Sequence, residues 1–209
     1  MGSIKVVADS NPRGAERRDA DRTDEEFCRA LVAGDGWAAD AVYDRIADVV
    51  EGVLYRLLGA DAERDDLTQQ AIERVITTIV SGRYARGCSL RSWATLLAQH
   101  VAVDALRVRA RERRLFDRNA GHQALELVAA TTATPERLAE TRRRVDLLQN
   151  ALASVGRDRS EAVVLHDVLG HDLAEIARLK GVTVAAAQSR LVRGRRDVLA
   201  WIRAHEGTD

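Results

Sequence analysis

The sequence predicts an all-α protein made of two small helical domains joined by a flexible linker. Three observations favour this fold class. Strong helix formers (Ala, Leu, Arg and Glu) dominate a chain of 209 residues, of which 46% are hydrophobic and 31% charged. Aromatic residues make up only 4% of the chain and prolines number two, which disfavours a β-sandwich. Apolar residues recur at helical spacing on both sides of one irregular stretch.

The first domain is predicted over residues 23–114. Thr23 and Glu26 have the spacing of a capping box, which opens a first helix that ends before Gly34. Apolar stripes then mark a helix that begins near Asp65 and a longer one that follows a loop at 81–89. The two stripes are Ile72, Val75, Ile76 and Ile79, and Trp93, Leu97 and Val101. Trp93 is interpreted as a core residue because it belongs to a stripe.

A linker is predicted over residues 115–134, where glycine, asparagine and a threonine-rich run precede Pro135. The second domain is predicted over 135–204, with disordered or solvated tails at 1–22 and 205–209. Its first long helix has an apolar face that ends at Gly156. That face consists of Leu148, Ala151, Leu152 and Val155.

A helix-turn-helix is predicted at the end of the chain. Asp172 and Glu175 form a second capping box, Gly181 suits a turn with positive φ, and Thr183 is placed to cap the next helix. That helix is expected to turn Val184, Ala187 and Leu191 inward. In DNA-binding proteins the second helix of such a motif enters the major groove. The alternative is a plain helical hairpin with a solvated arginine face.

Lys and Arg equal Asp and Glu at 32 each, so the net charge is zero, which argues against a protein that coats DNA without selectivity. The charges are segregated, however. Acidic residues dominate 35–73, whereas 107–118 and 190–196 are basic. Such patches indicate different partners at different places.

Several classes of function are disfavoured. Cys28 and Cys88 lie far apart and the histidines are scattered, so neither a metal site nor a cofactor is expected. No long apolar run predicts a membrane span, and the first residues do not have the pattern of a signal peptide. The motifs of nucleophilic, metal-dependent and phosphate-binding enzymes are lacking. We therefore expect a cytoplasmic protein that is not an enzyme.

Three segments occur in order along the chain, at 61–70, 89–107 and 170–196. Together they resemble the sigma-70 family of bacterial transcription initiation factors, in particular the extracytoplasmic-function (ECF) group. Residues 61–70, DAERDDLTQQ, resemble the acidic polymerase-binding motif. Residues 89–107, SLRSWATLLAQHVAVDALR, resemble the helix that reads the −10 promoter element. Residues 170–196, GHDLAEIARLKGVTVAAAQSRLVRGRR, resemble the region that reads the −35 element. The domains would then correspond to sigma regions 2 and 4.

The resemblance implies three sets of site residues and their partners. The β′ clamp helices of core RNA polymerase would contact Asp65, Asp66, Leu67, Gln69 and Gln70, and the β flap is a further expected partner. The −10 DNA would contact Arg83, Tyr84, Arg86, Arg91, His100, Asp104 and Arg107. The −35 DNA would contact Gln188, Ser189, Arg190, Val192, Arg193 and Arg196, with Arg190, Arg195 and Arg196 better suited to phosphate.

The sequence departs from the family pattern at several of these positions. An acid is usual at Gln70, Arg-Asn at Gln99 and His100, and a basic residue at Gln188, while Ala185 and Ala186 replace Gly-Thr. These changes leave the promoter sequence open. The resemblance also implies control by an anti-sigma factor and association with the nucleoid when active. Two alternatives remain at this point, a stand-alone helix-turn-helix regulator and a sigma mimic that sequesters an anti-sigma factor.

Overall fold

The computed structural model describes residues 22–84, 87–116 and 135–206, which form eight helices, as the all-α prediction requires. Residues 1–21 of the predicted tail at 1–22, residues 207–209 of the predicted tail at 205–209, and 117–134 of the predicted linker lie outside the described residues, as do 85 and 86. In chain order the helices are α1 Asp24–Ala33, α2 Ala38–Leu58, α3 Arg64–Val80, α4 Leu90–Phe116, α5 Pro135–Ser154, α6 Arg157–Val163, α7 Leu173–Lys180 and α8 Val184–His205. We call α1–α4 the N-terminal bundle and α5–α8 the C-terminal bundle.

Both predicted capping boxes are present. The Glu26 amide donates to the Thr23 hydroxyl at 3.3 Å, and the Thr23 amide donates to the Glu26 carboxylate at 2.7 Å. Asp172 and Glu175 make the same exchange at the start of α7, at 2.8 and 3.2 Å. Each box satisfies amide groups that the first turn of a helix leaves without a partner. The helix starts are therefore set by contacts within the first turn of each helix.

The N-terminal bundle packs α4 against α2 and α3 around a core of aliphatic side chains. Ile46 and Val50 of α2 and Val75 of α3 are completely buried. Of the predicted stripes, Ile72, Ile79, Leu97 and Val101 are all at most 6% exposed, whereas Ile76 and Trp93 are partly buried and pack against this core. A hydrogen bond also joins α1 to α4, because the Asp24 carboxylate accepts from the Leu90 amide at 2.7 Å. Asp24 of α1 thus caps the first turn of α4.

The C-terminal bundle contains the predicted helix-turn-helix, formed by α7 and α8. Gly181 ends α7 with φ of 60°, and the Thr183 hydroxyl accepts from the Ala186 amide at 3.2 Å to open α8. Ala187 and Leu191 are buried as predicted, but Val184 is 48% exposed, so its inward orientation was predicted wrongly. Val184 is the first residue of α8, and the core between the two helices begins one turn later.

Two local features set the geometry of this bundle. Gly194 lies where α8 crosses α6 so closely that a Cβ would come within 2.6 Å of the Arg159 carbonyl oxygen. After α6 the chain widens into a π-helical turn at Val164–Val168, closed by a hydrogen bond from the Leu169 amide to the Val164 carbonyl at 3.0 Å. Both features position the helix-turn-helix against the rest of the bundle.

The two bundles pack against each other. One hydrophobic core runs from Val50 in α2 through Val101 in α4 to Leu152 in α5 and Leu191 in α8. Gln149 of α5 is buried and donates to the Leu57 carbonyl of α2 at 2.8 Å. Leu148 alone among its predicted apolar face is exposed, at 39%. The described residues contain no helix that is both long enough and apolar enough to span a membrane.

Candidate polymerase-docking and DNA-binding surfaces

The acidic segment at the start of α3 divides into an anchored part and an exposed part. Asp61 and Glu63 both accept hydrogen bonds from Arg109 of α4, the one to Glu63 measuring 2.8 Å. Burial alone would lower the pKa of Arg109, but the two carboxylates reverse this and raise it. These two acids therefore hold the start of α3 on α4.

The exposed part carries the residues predicted to bind polymerase. Four of them (Asp65, Asp66, Gln69 and Gln70) are exposed, and Leu67 is partly buried against the core. A groove runs between this edge and α2, where it is lined by residues that the sequence did not single out. These are Tyr43, Asp48, Glu51 and Tyr55. Arg64 also lines the groove, with its guanidinium 6.0 Å from the centre of the Tyr55 ring. Acidic side chains outnumber this one cation, so the edge and groove suit a basic and partly apolar partner helix.

The loop before α4 holds two of the described residues predicted to meet −10 DNA, Arg83 and Tyr84, while Arg86 lies outside the described residues. Arg83 is exposed. The Tyr84 hydroxyl donates to the Cys88 carbonyl at 2.6 Å, and its ring meets that of Trp93 edge to face at 5.8 Å. Trp93 is partly buried at this contact.

Arg91 is engaged with α2. Its guanidinium makes a two-pronged contact with Asp48, each bond measuring 2.7 Å, and donates to the Arg45 carbonyl at 2.8 Å. The hydrogen bonds to Asp48 raise the pKa of Arg91. A phosphate group would have to compete with Asp48 for this side chain.

The remaining residues predicted to meet −10 DNA contact the C-terminal bundle, and 37% of the side-chain surface of Asp104 stays exposed beside this contact. Nε2 of His100 lies 3.1 Å from the Glu161 carboxylate, and Arg107 donates to the Val155 carbonyl and the Ser160 hydroxyl, both at 3.2 Å. Asp104 forms an ion pair with Arg157. The sequence placed these three side chains on the polar side of the helix, and their partners, more than forty residues later, could not be read from it.

The predicted −35 surface is open. Gln188, Val192, Arg193 and Arg196 are exposed along one edge of α8, and Ser189 is partly buried. Arg190 instead pairs with Asp158 at 3.1 Å, and Nε of Arg195 donates to Asp167 at 2.9 Å. The bond from Arg195 holds the pKa of Asp167 below its usual range. Nucleic acid could approach the exposed edge without any rearrangement of α8.

Comparison with known proteins identifies the family to which this chain belongs. The family models for Sigma-70 region 2 and for Sigma-70, region 4 match residues 42–112 and 146–198. The RNA polymerase sigma factor CarQ of Myxococcus xanthus is 32% identical over 157 residues, which cover 75% of this chain and 84% of CarQ. The ECF RNA polymerase sigma factor SigC of Mycobacterium tuberculosis is 31% identical over 193 residues, which cover 87% of this chain and 94% of SigC.

Among solved structures, that of CnrH in complex with the cytosolic domain of CnrY gives a TM-score of 0.48 at 17% identity, covering 87% of this chain and 98% of that one. The sigma factor RpoE from Bartonella quintana, solved with the anti-sigma factor NepR, gives 0.45 at 16% identity, with coverage of 78% and 95%. The sequence matches define a protein of the sigma-70 class built from regions 2 and 4. The chain belongs to the ECF sigma factors, which bind core RNA polymerase and direct it to promoters.

Proposed function

We propose that this sigma factor docks on the β′ clamp helices of polymerase through the acidic edge of α3 and reads the −35 element through the exposed edge of α8. The loop before α4 and the face of α4 that carries His100, Asp104 and Arg107 would hold the −10 element. One observation carries the proposal: α8 begins at a turn that Thr183 caps, and one edge of this helix exposes polar side chains to solvent. The recognition helix of a helix-turn-helix presents its side chains to DNA in the same way. Region 2 would then span 23–114 and region 4 would span 135–204.

The arginines of α8 differ in what they can contact. Arg190 and Arg195 are held by Asp158 and Asp167, so we assign them to phosphate, which could replace those acids as the partner of the guanidinium. Arg193 is exposed next to Gln188 and Ser189 on the first turns of the helix. A guanidinium there can bind guanine through two hydrogen bonds, and we assign direct base reading to Arg193.

Docking on polymerase requires a surface that attracts a basic helix without first binding DNA. The exposed carboxylates of Asp65 and Asp66 repel phosphate, and the adjacent tyrosine-lined groove offers apolar contact. The family resemblance adds the β flap as the partner of the C-terminal bundle. Because every proposed role is binding, we infer that the chain is not an enzyme and acts at the nucleoid in the cytoplasm.

We further propose an anti-sigma factor as the inhibitory partner, as the family resemblance implies. A net charge of zero, with acidic and basic patches on separate elements, supports weak DNA binding by the isolated chain. The match to regions 2 and 4 in order favours an initiation factor over a stand-alone regulator, which would contain no polymerase-binding region.

Run-off transcription with purified core polymerase and a promoter library tests the proposal. Arg193→Ala should weaken selection at one −35 position by about 1–3 kcal/mol, roughly 5- to 150-fold. Arg203→Ala is the matched control, because Arg203 is exposed in the last turn of the same helix, outside the proposed contact. An equal loss on every −35 sequence would reduce Arg193 to a phosphate contact. Binding of an anti-sigma factor without any transcription would indicate the sigma mimic.

A further inference from the structure

Two valines lie on the exposed edge of α8, one on either side of Gln188. Val184 is 48% exposed and Val192 is 58% exposed, and Gln188 is exposed between them. Residues four apart in a helix lie on the same face, so these three side chains form one continuous line along α8. We call this line the valine stripe.

The packing of α8 does not account for the valine stripe. The helix turns a different face to the core, and its buried residues are Ala187, Leu191, Gly194 and Val198. Helix propensity does not account for the stripe either, because β-branched side chains are slightly unfavourable in helices. A single exposed valine is ordinary on a protein surface, but here two are aligned on the edge that we assign to the −35 element. Their position therefore points to contact with the DNA.

The charge beside the valine stripe identifies the kind of partner. Arg193 is exposed next to Val192, and 71% of the side-chain surface of Arg196 is exposed one turn further along. Asp197 lies 3.4 Å from Arg196 but is also paired with Arg159 of α6, so the edge keeps its positive charge. A partner for this edge must therefore offer apolar groups between negative charges. The major groove of DNA does so, because phosphates border it and thymine presents a C5-methyl group in it.

The spacing of the valine stripe matches the spacing of base pairs. An α-helix rises about 1.5 Å per residue, so Val184 and Val192 are about 12 Å apart along the axis and Gln188 lies about 6 Å from each. Base pairs stack about 3.4 Å apart, so the stripe spans roughly three to four base-pair steps. The Gln188 amide can bind the N6 and N7 atoms of adenine through two hydrogen bonds. One adenine in the middle and a thymine methyl group towards each end therefore fit the stripe.

We propose that Val184 and Val192 contact thymine methyl groups on either side of an adenine bound by Gln188, so that the −35 element of this sigma factor has a core of A·T pairs. This inference rests on the assignment of −35 reading to α8 in the proposed function and adds the chemistry of the bases. Val184 belongs to the first turn of α8, and the N-terminal residues of a recognition helix reach base edges. Val184 is therefore a specificity-determining residue alongside Val192. Arg193 lies next to Val192 and places its guanine at one end of the A·T core.

The test uses holoenzyme made from the full chain and core polymerase, with the −35 element that run-off transcription selects from the promoter library. Each thymine of that element is replaced singly by deoxyuridine, which lacks only the methyl group. Competition between the original and the substituted promoter measures the change in affinity. With the wild-type chain, replacement at two positions about three to four base pairs apart should lower the affinity about fourfold each, as expected when one methyl group is removed from a contact.

Two variants assign the methyl groups to side chains. Val192→Ala should abolish the deoxyuridine effect at one of the two positions and Val184→Ala at the other, because a contact that is already lost cannot be lost again. Neither variant should change the salt dependence of binding, since valine neutralises no phosphate. Val32→Ala is the matched control, because Val32 of α1 is 58% exposed, as Val192 is, and lies in the other bundle. It should leave both deoxyuridine effects intact, and all three variants should keep their helical content because alanine is the better helix former.

The outcomes separate this inference from the proposed function. A selected −35 element without thymine, or deoxyuridine effects below about twofold at every thymine, would refute the inference and leave the proposed function intact. Deoxyuridine effects that persist in both valine variants would do the same. A loss of affinity for core polymerase in Val192→Ala, with the deoxyuridine effects unchanged, would make the valine stripe a protein contact and refute the inference. If the wild-type holoenzyme selects no −35 sequence, the proposed function itself fails.

Discussion

Replacing Gly194 by alanine measures how closely α8 crosses α6. The new Cβ would lie 2.6 Å from the Arg159 carbonyl oxygen and 2.7 Å from Cγ2 of Val163. A backbone oxygen cannot rotate away, so the helices must separate by several tenths of an ångström. Overpacking of this kind costs about 1–3 kcal/mol, which outweighs the roughly 0.5–1 kcal/mol that alanine gains over glycine in a helix.

Gly52→Ala is the matched control for this prediction. Gly52 lies within α2, and a Cβ built there meets nothing within 4 Å. The same substitution should therefore stabilise the chain by about 0.5–1 kcal/mol at this position. Thermal unfolding followed by circular dichroism measures both variants. In a chain of this size 1 kcal/mol shifts the melting temperature by about 2–4 °C.

The two variants should consequently move the melting temperature in opposite directions. A Gly194→Ala chain that melts at or above the wild-type temperature would refute the close approach. The −35 affinity of Gly194→Ala should fall as well, because the displaced α8 carries the recognition edge.

Two further predictions concern the acidic edge and the buried carboxylate. Asp66→Arg should weaken binding to core polymerase roughly tenfold at low salt and less at high salt. Asp40→Arg, which changes an exposed acid of α2, should leave the binding unchanged. Fluorescence anisotropy with labelled chain measures both variants, and equal losses of affinity would place docking elsewhere. Burial alone would raise the pKa of Glu161, but His100 and Lys180 lower it to about 2 from 4.5. The ionised carboxylate therefore stabilises the fold above pH 4.5, and this stabilisation is lost as the pH falls towards 2. Between these pH values Glu161 should contribute a slope of up to about 1.4 kcal/mol per pH unit to the plot of unfolding free energy against pH, and Glu161→Gln should remove that contribution. Urea unfolding at a series of pH values measures the slope, and an unchanged slope in the variant would contradict the pairing.

The parts of the fold that the sequence predicted are those with local causes. Thr23, Asp172 and Gly181 act on residues within one turn, so their side-chain chemistry is enough to place helix ends. The edge of α8 could be predicted for the same reason, because helical spacing alone decides which side chains share a face. Val184 was misplaced because spacing does not say where along a helix the buried contact begins.

The contact of α4 with the C-terminal bundle could not be predicted from local sequence patterns. His100, Asp104 and Arg107 are polar at helical spacing, a pattern that equally fits water, DNA or a second protein surface. Their partners Glu161 and Arg157 lie on a different helix, beyond the predicted linker. Only the position of one bundle against the other brings them together, and single-sequence patterns do not contain that information.

The π-helical turn at Val164–Val168 sets the rotation of the helix-turn-helix relative to α6. A turn closed over five residues accommodates one residue more than an α-helical turn, and each residue advances an α-helix by about 100°. Deletion of a single residue here would let α6 continue as regular helix and would rotate everything after it around the bundle axis. The orientation in which α7 and α8 leave the bundle therefore depends on the length of this turn as well as on its side chains.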